Sequence, residues 1–144
     1  MKFAKIVLFF RFNHLTKYCL PSLVFFLLLQ TPALYANNET DFLKAALTGD
    51  SATLAKLIDE NIKIDVQNPD GFTALSVAAQ NGHLKIVELL LKHNASVDLA
   101  NIQGGTPLLL AVKNLHLPII EILLANKANP NLQDKNGLSP LMLA

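Results

Sequence analysis

Cysteine and acidic residues are missing from long parts of this chain. The only cysteine is Cys19, and no Asp or Glu precedes Glu39. A single thiol excludes an internal disulfide, and because this thiol lies in the N-terminal segment, an oxidising compartment would leave the rest of the chain unaffected and its stability must come from packing. The lack of acids also separates a basic, apolar N-terminal segment from the rest of the sequence.

Residues 1–36 have the composition of an export signal. They contain four basic residues and no acid, then the almost wholly apolar run 20–29, and they end at the small Ala36. This order is typical of a secretory signal peptide, and it predicts cleavage after Ala36, with Ala33 as the second choice, and a protein of the bacterial periplasm or secreted from it. An uncleaved membrane anchor is the alternative. The dense apolar run has only ten residues, whereas a span needs roughly 20.

Cleavage at this point would reverse the sign of the net charge. The whole chain has 12 basic and 11 acidic residues and a net charge of +1. Without the leader, 8 basic and 11 acidic residues remain, which gives a charge near −3. Because a nucleic-acid surface needs a dense basic patch, we expect a partner other than nucleic acid.

The rest of the chain repeats itself every 33 residues. Thirteen of the 32 positions in 70–101 are identical to those in 103–134. A weaker copy precedes them and the start of another follows. The period therefore divides 37–144 into four units, which are 37–69, 70–102, 103–135 and the partial unit 136–144.

Each unit has the signals of two short helices and a loop. Thr73, Thr106 and Ser139 are predicted N-caps, and Pro follows the last two at the first helical position. Gly82 is predicted to end the first helix with a positive φ. A second helix is expected over about 84–92 and a loop or hairpin over 95–104. Helices this short are marginal alone, so the units must stack on one another.

These motifs resemble the ankyrin repeat. They read G-x-T-P-L-x-x-A, followed by G-H-x-x-I-V-x-x-L-L-x-x-x-A, on the 33-residue period. The resemblance implies an all-α solenoid of stacked helix-turn-helix units with hairpin loops, in about three and a third repeats. In the second unit Ser76 stands where the family has histidine, which questions a local hydrogen bond to Thr73. Leu115 replaces the expected turn glycine and predicts a strained turn, whereas Pro118 falls in the tolerated first turn of its helix.

No residue pattern indicates catalysis or a metal site. His83 and His116 occupy equal places on neighbouring units, too far apart for one zinc ion, and are interpreted as motif residues. Asp65, Asp98 and Asp134 are interpreted as solvated turn acids. No nucleophile, zincin or phosphate-loop motif occurs. We therefore predict a protein that is not an enzyme and has no cofactor.

The resemblance implies that a protein partner binds the hairpin tips and the exposed side of the first helices. Phe72 and Ile102 are apolar where turns are usually polar, and such residues can anchor an interface or fold down onto the scaffold. The partner itself is not predicted. The positions carried over as partner-binding residues are Gln67, Pro69, Asp70, Phe72, Ser76, Gln80, Asn81, Ala100, Ile102, Gln103, Leu109, Lys113, Asn114, Gln133, Lys135 and Asn136, with Leu138 beside the last of them.

The two ends of the array differ in polarity. The first unit carries Thr48, Asp50, Ser51 and Lys56, which suits an N-terminal cap that faces water. The partial last unit ends in apolar residues without a second helix. This contrast leaves an alternative function open, in which the protein is a scaffold element that self-associates through its C-terminal end.

Overall fold

The computed structural model describes the backbone of residues 32–144 and the side chains from residue 38 onward. Residues 33–144 form one compact unit, and the part described is helical, without strands. This confirms the all-α class. The helices are α1 (Pro32–Thr48), α2 (Ser51–Asp59), α3 (Ala74–Asn81), α4 (Leu84–Lys92), α5 (Pro107–Lys113), α6 (Leu117–Ala125) and α7 (Pro140–Leu143).

The predicted leader lies almost wholly outside the described residues. Helix α1 begins at Pro32 and runs without a break past Ala36, so it crosses the predicted cleavage point. None of the helices described within 32–144 has both the length and the apolar character that a membrane span requires.

The first helices begin where the sequence predicts, and the same kind of hydrogen bond starts each of them. The hydroxyl oxygens of Thr73, Thr106 and Ser139 each accept a hydrogen bond from the backbone N–H three residues later. Pro107 and Pro140 open their helices. These bonds satisfy amides that a helix cannot pair internally.

Ser76 keeps the local hydrogen bond that the sequence put in question. Its hydroxyl accepts from the Thr73 N–H at 2.9 Å and donates to the Thr73 carbonyl oxygen. The Ser76 N–H in turn donates to the Thr73 hydroxyl, which completes a capping box. Serine therefore serves here in place of the family's histidine.

The turn between the paired helices needs a left-handed residue. Gly49 and Gly82 have φ values of 79° and 80° at this position. Leu115 has a φ value of 58° at the same position, and its side chain is 80% exposed. The prediction of a strained turn in the third unit is confirmed, because an L-residue in this region costs about 1–2 kcal/mol.

The core continues from unit to unit. Helix α3 packs on α4 and α5, helix α5 packs on α6 and α7, and α4 lies between α2 and α6. Leu75 and Leu108 in the first helices, and Leu90 and Leu123 in the second, are fully buried. The stack thus buries the apolar faces that single units would expose.

Two of the three loop acids, Asp65 and Asp98, occupy equivalent positions and join neighbouring units. Asp65 accepts hydrogen bonds from the Ser96 N–H and hydroxyl, and Asp98 accepts from the Asn129 N–H at 3.0 Å. Asp134 is buried inside a loop. The interpretation as a solvated turn acid is therefore wrong for Asp134, whereas Asp65 and Asp98 are partly exposed and each accepts a backbone N–H of the next unit.

Candidate functional site

Each loop ends in a tight turn, which we call a tip (67–72, 100–105 and 133–138). Asn68, Asn101 and Asp134 hold the three tips in the same way. Their side-chain oxygens accept the backbone N–H groups two and four residues later, at 2.8–3.0 Å. The turns are thus fixed by their own side chains, as is typical of Asx turns.

Backbone hydrogen bonds connect the tips. The Ile102 N–H donates to the Asp70 carbonyl oxygen at 3.0 Å, and the Lys135 N–H donates to the Gln103 carbonyl oxygen at 2.9 Å. Gly71 and Gly104 lie at these contacts, and a Cβ on either would meet the backbone of the next tip at 2.9 Å or less. Three tips therefore form one continuous row.

Most of the predicted partner-binding residues lie on the surface of this row and of the helices beside it. Phe72 and Ala100 are half-buried. Whether a partner contacts these residues stays a prediction. The exposed residues are Gln67, Pro69, Asp70, Gln80, Asn81, Ile102, Gln103, Lys113, Asn114, Gln133, Lys135 and Asn136.

Two of the predicted residues do not lie on the surface. Ser76 and Leu109 occupy equivalent positions in α3 and α5, and both are 0% exposed. Ser76 faces its own N-cap, and Leu109 packs in the interior. Neither side chain can touch a partner in this structure, so their assignment as contact residues is wrong.

One ion pair crosses the surface at its C-terminal end. The Lys113 ammonium in α5 lies 2.8 Å from Oδ2 of Asp134 in the last tip. The hydrogen bond from Lys113, together with the N–H groups of Leu138 and Asn136, holds the pKa of Asp134 below its usual value. Most other exposed side chains here are amides, which leaves the surface polar but with little net charge.

A pocket of about 380 Å³ lies at the N-terminal end of the row, between α1, the first tip and α3. Four apolar side chains line it, from Leu43, Leu47, Phe72 and Val77. Phe72 was predicted, but sequence reasoning missed Leu47. The signal was present, because Leu47 is apolar where the later units have Gln80 and Lys113.

The two motif histidines, His83 and His116, form contacts between neighbouring units. Nε2 of His83 is 2.9 Å from the Leu47 carbonyl oxygen, and Nε2 of His116 is 3.1 Å from that of Gln80. Each ring therefore joins the start of a second helix to the preceding unit. Within 32–144, no three His, Cys, Asp or Glu side chains are grouped so that they could hold a metal ion.

Comparison with known proteins agrees with this architecture. The family model described as ankyrin repeats in three copies matches residues 42–134, which is more than half of the chain. The match covers the three full units almost completely. No curated protein matches the chain.

Proposed function

The chain belongs to the ankyrin-repeat family, whose repeats generally mediate contacts between proteins, and from this premise we propose that it is an exported binding module without catalytic activity. The proposed contact surface consists of the three tips and the exposed residues of α1, α3 and α5. The row of connected tips carries this proposal. Because backbone hydrogen bonds fix the tips before binding, little ordering is needed when a partner docks.

The proposal of export depends on the leader. A basic start, a ten-residue apolar run and a small-residue end support cleavage after Ala36 and a periplasmic or secreted protein. Retention of 1–36 would instead make the same module a membrane-anchored one. The N-terminal residue of the mature protein, determined by sequencing, distinguishes the two.

Affinity capture from the exported fraction tests the binding function. A variant with Phe72→Ser and Ile102→Ser should fold and lose its partner, because these apolar side chains sit on the tips where an interface would bury them. The matched control changes Lys85 and Glu88 to Ala, which are exposed on α4. Equal capture by both variants would contradict the proposed surface.

A second candidate function is self-association at the C-terminal end. Leu141 is 62% exposed, whereas Leu108 at the equivalent place one unit earlier is 1% exposed. Met142 and Leu143 also expose much of their side chains. Exposed large apolar side chains of this kind are a common mark of an interface.

Such an association would join two C-terminal ends. Stacking one copy's end on another copy's beginning would bring the exposed apolar Leu141 and Met142 against the polar first unit. The N-terminal end also carries charged Asp41, Lys44, Lys56 and Glu60, which an apolar surface cannot pair. An uncharged apolar surface is complementary to itself, as a two-fold dimer requires.

Light scattering of the full chain over a range of concentrations tests this candidate. We expect a monomer–dimer equilibrium that Leu141→Gln with Met142→Gln shifts to monomer. A monomer at every concentration, or an open series of oligomers, would exclude the two-fold dimer.

A further inference from the structure

We infer that the pocket between α1, the first tip and α3 is the anchor site of the interface, and that it takes one uncharged apolar side chain of a partner protein. This inference depends on the proposed function and adds to it the chemistry of the partner. Its apolar lining comes from Leu43, Leu47, Phe72 and Val77.

The scaffold does not require these apolar residues. At the position of Leu47, the second and third units have Gln80 and Lys113. At the position of Phe72, which belongs to the second unit, the third unit has Gly105, buried against Asn101, and the partial unit has Leu138. Since the junction between the second and third units packs well with glutamine and glycine, stacking alone does not explain a leucine and a phenylalanine at the first junction.

Leu47 is also more exposed than an ordinary packing residue. Its side chain is 54% exposed, although its carbonyl oxygen lies at a junction between units, 2.9 Å from Nε2 of His83. Phe72 is half-buried beside it. An exposed leucine at the mouth of a concave apolar pocket gains by being covered, because covering it removes apolar surface from water.

The charges around the pocket determine what can cover it. Lys44 and Asp70 are the charged residues of its lining, and their charges are opposite. The site therefore offers no net charge to attract an ionic group, and its apolar wall would remove hydration from a charged side chain. The exposed amides of Gln80 and Asn81 lie at the same pocket and can bond a partner's backbone.

The size of the pocket fits one side chain. A volume of about 380 Å³ is at the lower end of the roughly 300–1,000 Å³ that small-ligand sites occupy. It has room for a leucine or phenylalanine side chain with its flanking peptide groups, but not for a helix, whose diameter is about 10–12 Å. We therefore expect an extended or turn segment of the partner, with one apolar residue inserted.

Titration with capped amino acids tests this site without knowledge of the partner. N-acetyl-leucinamide, N-acetyl-lysinamide and octanoate are added separately to the isotope-labelled protein, purified after expression of the full chain. Backbone amide signals are followed by NMR. We expect N-acetyl-leucinamide to shift the signals of residues 43–47, 70–72 and 77, and N-acetyl-lysinamide to leave them unchanged. Tighter binding of octanoate would indicate a lipid chain and overturn a protein anchor.

The variant Leu47→Gln copies the residue of the second unit and should keep the fold. It should weaken N-acetyl-leucinamide binding about tenfold, since it removes the most exposed apolar wall. Leu117→Gln, which changes another exposed leucine outside the pocket, is the control and should bind normally. Phe72→Gly, which copies Gly105, repeats the test if Leu47→Gln is unstable. Unchanged binding by a folded pocket variant would overturn the assignment.

Failure of the anchor site and failure of the proposed function give different results. If Leu47→Gln and the unmodified protein capture the same partner equally, the binding function stands and the anchor site is wrong. If the unmodified protein captures no partner, the proposed function is wrong. The inference then falls with it, even where the pocket still binds N-acetyl-leucinamide.

Discussion

The imidazole ring of His83 lies against Gly49 of the preceding unit. A Cβ built on Gly49 would be 2.8 Å from Nδ1 of His83, and Gly49 has φ 79°. His116 and Gly82 repeat this contact one unit later, with a Cβ distance of 2.8 Å to Cε1 of His116. The histidine hydrogen-bonds a carbonyl oxygen of the preceding unit, and the glycine makes room for its ring.

Gly49→Ala should destabilise the protein by two separate effects. The left-handed backbone costs about 1–2 kcal/mol for alanine, and the contact with the ring adds about 1–3 kcal/mol. Gly137→Ala is the control, because Gly137 has φ 78° and no heavy atom of the described residues within 4 Å of the added Cβ. Urea unfolding should show a clearly larger loss for Gly49→Ala than for Gly137→Ala.

The same contact predicts a coupling between the two residues. In a His83→Ala background the ring is gone, so Gly49→Ala should cost only what Gly137→Ala costs. A double-mutant cycle measures this coupling directly. Additive losses in the cycle would show that the His83 ring is not the reason why position 49 requires glycine.

Leu115→Gly should stabilise the protein. The substitution relieves about 1–2 kcal/mol of left-handed strain. Glycine adds about 0.5–1 kcal/mol of backbone entropy loss on folding. Little apolar burial is lost, because the Leu115 side chain is 80% exposed. The expected net gain is about 0.5–1 kcal/mol in urea unfolding. Leu117→Gly, in the first turn of α6, should lower stability instead. A loss for Leu115→Gly would mean that Leu115 makes a stabilising contact.

Asp65→Ala should cost more stability than Asp98→Ala. Asp65 accepts both the N–H and the hydroxyl of Ser96, whereas Asp98 accepts only the N–H of Asn129. One additional hydrogen bond corresponds to about 1 kcal/mol. In a Ser96→Ala background the Asp65→Ala loss should approach that of Asp98→Ala. Equal losses in the unmodified background would show that the hydroxyl bond contributes nothing.

Asp134→Asn should remove an acid-sensitive part of the stability. Asparagine keeps the turn, as Asn68 and Asn101 do, but loses the ion pair with Lys113. Because folding lowers the pKa of Asp134 below the ordinary 3.8, the pair stabilises fully above that value and its contribution disappears as the pH falls through the folded pKa. The unmodified protein should therefore exceed Asp134→Asn in stability at neutral pH, and the two should converge in acid.

Lys113→Gln provides the second half of this test. It removes the same pair and copies Gln80, the residue of the preceding unit. Urea unfolding at several pH values should show a pH dependence that Lys113→Gln reduces and Asp134→Asn reduces further, because the Leu138 and Asn136 N–H groups still lower the pKa of Asp134 in Lys113→Gln. A pH dependence that stays unchanged in both variants would show that another carboxylate is responsible.

The scaffold was predictable from the sequence because each of its parts has a local cause. Thr73 and Thr106 precede helices that they cap, and Gly82 occupies the turn that requires a positive φ. These requirements recur every 33 residues, so one unit confirms the interpretation of the next. The strained turn at Leu115 was predictable for the same reason, because a leucine at the position of the turn glycine predicts strain.

The surface was less predictable because burial depends on neighbours in space. Ser76 and Leu109 lie on helices that present other residues to solvent, and helical spacing alone did not separate the two faces. Asp65 reaches Ser96, which is 31 residues away in sequence. Leu47 is an apolar helix residue of the kind that usually forms a core. Only a comparison of equivalent positions among the units distinguishes Leu47 from a core leucine.

Site-specific photo-cross-linking tests the central claim, that the connected tips form the binding surface. A photoreactive residue is placed at Gln103, on the middle tip, or at Glu88, exposed on α4, in the full chain expressed in its own cells. We predict one discrete protein adduct from position 103 and none from position 88. An adduct from position 88 without one from position 103 would contradict the assignment of the tips as the binding surface.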